Sequence, residues 1–351
     1  VPSATDAGLI PRSVHGFDLI QGQQQAIGLL ATLLRNGHVP HAFVFTGIDG
    51  IGKQTAARAF AMACNCANPQ PFKTAWPDLP SPPAINACGQ CRICRRILAD
   101  NHPDILHVRP SGNLIRIAAI RELIQQLMLK PYEQGKRIVI IANAHAMNPE
   151  AGNALLKVLE EPPANTILIL TAQQTTDLLP TIISRCQQIR FVPLPRDVLV
   201  ELIAANENLS REEALSAANL SGGSYTHALR LIGEGWIPRR NWLAKEFSQL
   251  RAQPTVAILA LAEKLAARKA LLPDTLAWLL SWYRDLIVFP FQPQQVVNSD
   301  LQDQIETTAA GADQQTLIKG MRLIQKALKD LQANANPRLT MEALVLQLAA
   351  A

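Results

Sequence analysis

The sequence predicts a doubly wound α/β domain followed by an all-helical region. Apolar runs at 41–47, 137–143 and 166–172 are each the length of a strand and are separated by stretches with helical spacing. That alternation is the signature of a parallel sheet covered by helices. The pattern stops near Pro193 and Pro195, and from Arg196 onward no strand is expected.

Taken in order, 21–35 places Ile27, Leu30, Leu33 and Leu34 on one helical face. The run 41–47 ends in glycine and suits a buried parallel strand, and a helix follows over about 52–62. Beyond a cysteine-rich segment, 105–108 reads as a strand and 117–129 as an amphipathic helix. A buried strand over 137–143 precedes a helix opened by Asn148-Pro149-Glu150, with Asn as cap and Pro in the first turn. That helix stops at Pro162-Pro163, and 166–172 is another buried strand. In the helical region Leu317, Met321, Ile324, Leu328 and Leu331 form a 4-3-4-3 stripe, the face of a bundle helix. The stripe fits an internal core and a contact with a sister subunit equally well.

Gly47-Ile48-Asp49-Gly50-Ile51-Gly52-Lys53 follows a strand and opens a helix, the setting in which glycine-permitted amides turn inward to hold phosphates. The loop wants Ser or Thr directly after the lysine, because that hydroxyl ligates Mg²⁺. Here Gln54 stands in that place and Thr55 comes one residue late. Gly47, Gly50, Gly52, Lys53, Gln54 and Thr55 are therefore a degenerate nucleotide site. At the end of the strand Ile138-Val139-Ile140-Ile141, hydrolases of this type carry Asp-Glu to hold metal and polarise water. This chain has Ala142, which can do neither, and Asn143, which has no basicity to activate water, while His145 reads as a packing residue. The phosphate-loop architecture is expected without the hydrolytic chemistry.

Composition sets outer limits. The 351 residues are 48% hydrophobic and 17% charged, which excludes a disordered chain. Net charge is +5 and aromatics are 5%, too little for a protein that holds nucleic acid by charge or base stacking alone. Residues 88–137 carry nine basic groups against four acidic ones, so this segment alone matches the whole excess. The apolar stretch 276–291 is interrupted by Arg284-Asp285 and Pro290, so no membrane span is expected. The first residues show no secretory signal, and the expected location is cytoplasmic. Cys88, Cys91 and Cys94 at CxxC spacing read as metal ligands, with Cys66 or Cys64 closing a tetrahedron around a structural Zn²⁺. The proline-rich insert before the triplet reads as an exposed loop, and Cys186 as small core filler.

Several motifs resemble the clamp-loader subunits of bacterial DNA polymerase III, within the AAA+ ATPases. Phe17-Asp18-Leu19-Ile20-Gln21-Gly22-Gln23 is similar to F-x-x-I-x-G-Q, and His41-Ala42-Phe43-Val44-Phe45-Thr46-Gly47 to H-A-x-L-F-x-G. Asn153-Ala154-Leu155-Leu156-Lys157-Val158-Leu159-Glu160-Glu161-Pro162-Pro163 resembles N-A-L-L-K-x-L-E-E-P-P, and Ser184-Arg185-Cys186 matches S-R-C. Asn336-Pro337-Arg338-Leu339 and Glu342-Ala343-Leu344 resemble the last collar helix. The resemblance implies an α/β AAA+ P-loop core over 1–193 with a four-cysteine zinc module at about 64–100, a small helical lid over 194–236 and an all-helical collar over 237–351. It favours Cys66 as the fourth ligand.

The family holds motor subunits, gamma and tau, with the full loop and acidic pair, and a second kind with degraded nucleotide chemistry that keeps S-R-C. Gln54, Ala142 and Asn143 align this chain with the second kind, as does Thr226 where the motor pattern has Arg. The resemblance then implies a non-hydrolysing member of a ring with gamma/tau and delta, which loads the sliding clamp on primed DNA. It also implies that Arg185 acts in trans on a neighbour's ATP; by itself the tripeptide favours a local role, capping a helix end or pairing nearby. The competing readings are an active ATPase of the gamma/tau type and an independent zinc-containing nucleic-acid binder.

Overall fold

The computed structural model describes residues 16–71, 85–133, 135–205 and 209–350. The first residues and most of the proline-rich insert, for which no signal and an exposed loop were expected, lie outside that set.

The chain divides into two units, Val1–Asn208 with Gly223–His227, and Leu209–Gly222 with Ala228–Ala351. The first is built on a parallel sheet of β1 (Ala42–Thr46), β2 (Ile105–Val108), β3 (Arg137–Ile141), β4 (Thr166–Ala172) and β5 (Gln187–Arg190), in the order β2-β3-β4-β1-β5. Alternate side chains feed two cores. Phe43, Phe45, Ile138, Ile140, Ile167 and Ile169 pack with α1 (Gln24–Asn36), α2 (Lys53–Asn65) and α3 (Arg92–Leu98). Val44, Val139, Ile141, Leu168 and Leu170 pack on the other side with α4 (Ile117–Met128), α5 (Pro149–Glu160) and α6 (Pro180–Ile183). Burial on both faces is why these strands read as unbroken apolar runs.

Strand β5 was not expected from sequence. It is an edge strand in which only Ile189 is buried, so Gln187, Gln188 and Arg190 give it no apolar run. Asn148 caps α5 by accepting from the Ala151 N–H at 3.1 Å, with Pro149 in the first turn as the sequence suggested. A last helix of this unit, α7 (Arg196–Ala204), follows β5.

No strand follows Arg190 among the described residues. The remaining helices are α8 (Arg211–Leu220), α9 (Tyr225–Gly233), α10 (Trp236–Ser248), α11 (Thr255–Ala266), α12 (Leu272–Val288), α13 (Gln302–Ala310), α14 (Gln314–Gln332) and α15 (Pro337–Ala350). Trp236, Trp278, Trp282 and Leu279 centre the core of the second unit, with Trp278 and Trp282 stacked 5.5 Å apart. The predicted stripe lies on α14, where Leu317 and Ile324 are buried and Leu328 and Leu331 partly so. Asp285, which interrupts the apolar stretch of α12, is fully buried. It accepts from the N–H groups of Val297 and Asn298 and from the Asn298 side chain at 2.7–3.0 Å, and so holds the chain beyond α12. Among the described residues no helix is long and apolar enough to cross a membrane.

Candidate functional site

The glycine-rich loop leaves β1 and enters α2 at Lys53, as expected. Gly50 sits at φ +76°, and a Cβ there would lie 2.4 Å from Ser224 Oγ and 2.8 Å from Thr226 Cβ. Its carbonyl accepts from the Tyr225 N–H at 2.9 Å. Only glycine fits so close an approach in that left-handed conformation.

Lys53 does not project into an open cradle. Its side chain is 5% exposed and folds back on its own loop, donating to the carbonyl oxygens of Gly47 and of Ile48, the latter at 2.8 Å. Asp49 stands 3.4 Å from Nζ and also accepts from Gln173 Nε2 at 2.8 Å. Burial lowers the lysine pKa, and the Asp49 carboxylate partly offsets this. The ammonium that would meet a phosphate is thus paired with an anion the loop itself supplies. At the end of β3, Ala142 is buried and Asn143 adopts φ +51°, with its N–H donating to Thr171 Oγ1 at 2.9 Å. No carboxylate occupies either position. His145 is half-buried, and its enclosed Nδ1 has no hydrogen-bond partner among the described residues.

Arg185 follows the single turn of α6, which is anchored by the buried Ile182. The guanidinium is 35% exposed. It donates through Nη2 to Glu160 Oε1 at 2.7 Å and through Nη1 to the Thr181 carbonyl at 3.0 Å. The neighbouring Cys186 thiol is pushed up to about 12 by burial and stays protonated, in keeping with core filler.

A second constellation lies where α2 ends and α3 begins. The ligand atoms of Cys66, Cys88, Cys91 and Cys94 all lie within 4.8 Å of one another and could hold a metal ion. Three backbone amides aim at the sulfurs: Cys88 N–H at Cys66, Cys91 N–H at Cys88 and Cys94 N–H at Cys91, at 3.3–3.4 Å. Desolvation acts against ionising Cys91. The amides of Cys94 and Ala67 and the adjoining thiols outweigh it and bring the thiol down to about 6. Burial holds Cys66 and Cys94 up instead. Cys64 is outside the group, its thiol pushed up to about 12 by burial, so the choice the sequence left open falls on Cys66.

Of the nine basic groups in 88–137 only Arg137 is buried and Arg96 partly so, while the other seven are exposed. Arg137 is 3% exposed; it donates to the carbonyls of Leu127 and Leu129 at the end of α4 and pairs with Asp104 at 3.5 Å. Arg96 pairs with Glu133, and Arg109 with Asp100. Asp49, Gln173 and Glu160 were not singled out from sequence. Asp49 carried a readable signal, a carboxylate within a loop built for phosphate.

Two family models match the chain, "DNA polymerase III, delta subunit" over residues 22–195 and "DNA polymerase III, delta subunit, C terminal" over 234–350. The DNA polymerase III subunit delta-prime of Bacillus subtilis is 30% identical over 346 residues, covering 93% of this chain and 96% of that protein. The chain belongs to the delta-prime family of clamp-loader subunits. A delta-prime subunit from Pseudomonas aeruginosa is 31% identical over 318 residues, 88% of this chain and 91% of its own. A gamma/tau subunit from Mycoplasma genitalium is 29% identical over 223 residues, but these are 62% of this chain and 35% of that one. A gamma-subunit-related protein from Thermotoga maritima, known from its crystal structure, covers 92% of this chain at 19% identity with a TM-score of 0.40. The delta-prime chain carries the parallel α/β core followed by helices that the resemblance implied.

Proposed function

We propose that this delta-prime chain is a non-hydrolysing scaffold of the clamp-loader ring and lends Arg185 to the ATP of a neighbouring subunit. The observation that carries the first half is the filled loop. Lys53 is committed to its own carbonyls and to Asp49, and Asp49 to Gln173. A nucleotide entering there would have to break the pair and bring its phosphates against a carboxylate, and like charges at close range disfavour binding. Ala142 supplies neither metal ligand nor base, and Asn143 has no basicity to activate water. The partners are the gamma/tau motor subunits and delta, with sliding clamp and primed DNA engaged through the complex. In this arrangement 1–193 is the AAA+ core, 194–236 the lid and 237–351 the collar through which the subunit assembles.

The cysteine cluster fits Zn²⁺. Metal–sulfur bonds of ~2.3 Å in a tetrahedron place sulfurs about 3.8 Å apart, and the four here lie within 4.8 Å of each other. Four thiolates leave no open coordination position, so the metal would act as a crosslink between the end of α2 and the start of α3.

In the reconstituted complex, Lys53→Ala is expected to leave DNA- and clamp-stimulated hydrolysis within about twofold, because this loop does no phosphate chemistry. The isolated chain should neither retain labelled ATP at millimolar concentration nor turn it over. A large loss with Lys53→Ala, or substantial turnover by the lone chain, would instead establish an active ATPase.

A further inference from the structure

We propose that Glu160 is a positioning residue for Arg185, holding the guanidinium at the end of α5 so that it meets a neighbour's phosphate already oriented. The inference rests on the reading of Arg185 as a finger acting in trans, and adds to it the residue that sets its pose.

Glu160 is the last residue of α5, immediately before Glu161 and the Pro162-Pro163 stop, so its backbone belongs to a helix end rather than a free loop. That helix is seated tightly against the segment that carries Arg185. A Cβ on Gly152 would lie 2.9 Å from Leu179 Cδ1, at the residue preceding α6. Glu160 and Arg185 are therefore carried by α5 and by the turn after α6, two elements packed against each other at Gly152. Glu160 Oε1 accepts from Nη2 at 2.7 Å, while Thr181 O and Ser184 Oγ accept from Nη1 at 3.0 and 3.3 Å. Three acceptors engage only two nitrogens. Nε has no partner among the described residues, and the group stays 35% exposed. A guanidinium has five N–H donors in a planar fork, so donors remain for phosphate oxygens while the plane is fixed by the carboxylate.

Stability does not explain the pair. Glu160 is 51% exposed, and an ion pair in such surroundings adds little to folding. Its physical effect is to restrict a long, rotamer-rich side chain before the partner arrives, which reduces the ordering cost at assembly and sharpens alignment in the reacting complex. The carboxylate contacts the arginine through one oxygen at one nitrogen, which leaves the remaining N–H groups of the fork to face the phosphate.

The test is a double-mutant cycle in the complete reconstituted complex, reading ATP hydrolysis with clamp and primed DNA. Glu160→Ala is expected to lower kcat about 3–10-fold with the KM for ATP unchanged, because orientation and not nucleotide capture is lost. Glu160→Gln, which keeps an acceptor oxygen, should recover at least half of the loss. On the Arg185→Ala background Glu160→Ala should have no further effect. A decrease of equal size on that background, full activity of Glu160→Ala beside an impaired Arg185→Ala, or activity raised by removing Glu160 would each overturn the inference. If Arg185→Ala alone leaves the complex fully active, the finger reading itself fails, a result separable from all three. Thermal melting of the isolated Glu160→Ala chain close to that of the parent excludes misfolding as the cause.

Discussion

Arg185→Ala, assembled with ATP-hydrolysing partners, is expected to slow turnover at the neighbouring nucleotide by about 10³ or more if Arg185 acts as the proposed finger, the range typical of arginine fingers. The guanidinium would neutralise charge that spreads over the equatorial oxygens as the γ-phosphoryl transfers, and no other group on this side chain's turn can replace it. Ser184 is neutral, and Thr181 offers its carbonyl oxygen, an acceptor. A lysine at 185 should restore little, since a point charge cannot reproduce the planar fork. The substitution should leave the isolated chain's melting temperature almost unchanged, because the Glu160 pair it removes is exposed. Hydrolysis and clamp loading measured side by side should fall together. Unchanged hydrolysis would remove Arg185 from the reaction.

Cys94→Ser is the second large effect. Cys94 is completely buried, lies on α3 and shares the core cluster with Ile97 and Ala63. A hydroxyl at that position binds metal far more weakly than a thiolate, and structural zinc contributes folding energy directly. Metal content is expected to drop from one equivalent per chain to below about 0.1, with the melting temperature lowered by about 5–15 °C. Strong chelation of the parent protein should produce the same shift. Cys64→Ser and Cys186→Ser serve as controls, because neither sulfur belongs to the cluster, and both should keep full metal content. Undiminished metal in Cys94→Ser, or none in the parent, would refute the zinc assignment.

What could be read from the sequence followed burial geometry. Strands β1, β3 and β4 are covered on both faces and announce themselves as apolar runs, whereas β5 lies at an edge with one buried residue and leaves no such trace. The loop and the altered strand end were legible because their chemistry is local: Gln54, Ala142 and Asn143 each stand where a specific group is required. Three cysteines at fixed spacing were legible for the same reason. Spacing alone left the fourth open between Cys64 and Cys66, and the resemblance favoured Cys66, the one that lies in the cluster. Glu160 and Gln173 escaped notice because their partners, Arg185 and Asp49, lie 25 and 124 residues away. The basic excess misled in the opposite sense. Counted along the chain it gives nine basic groups alike, but Arg137 and Arg96 are paired within the fold and only the other seven are exposed.

Arg137 also joins pieces that would otherwise behave separately. Its fork rises from the first residue of β3, donates to the final carbonyls of α4 and meets Asp104 just ahead of β2. Asp104 in turn accepts the amides of Tyr132 and Glu133 from the connection between α4 and β3. Opening any one of these segments to solvent would strand a buried cation or a buried carboxylate, a penalty much larger than fraying a helix end. The outer margin of the sheet is therefore expected to exchange its amide hydrogens as one cooperative unit, with the helix terminus beside it sharing the protection of the strand.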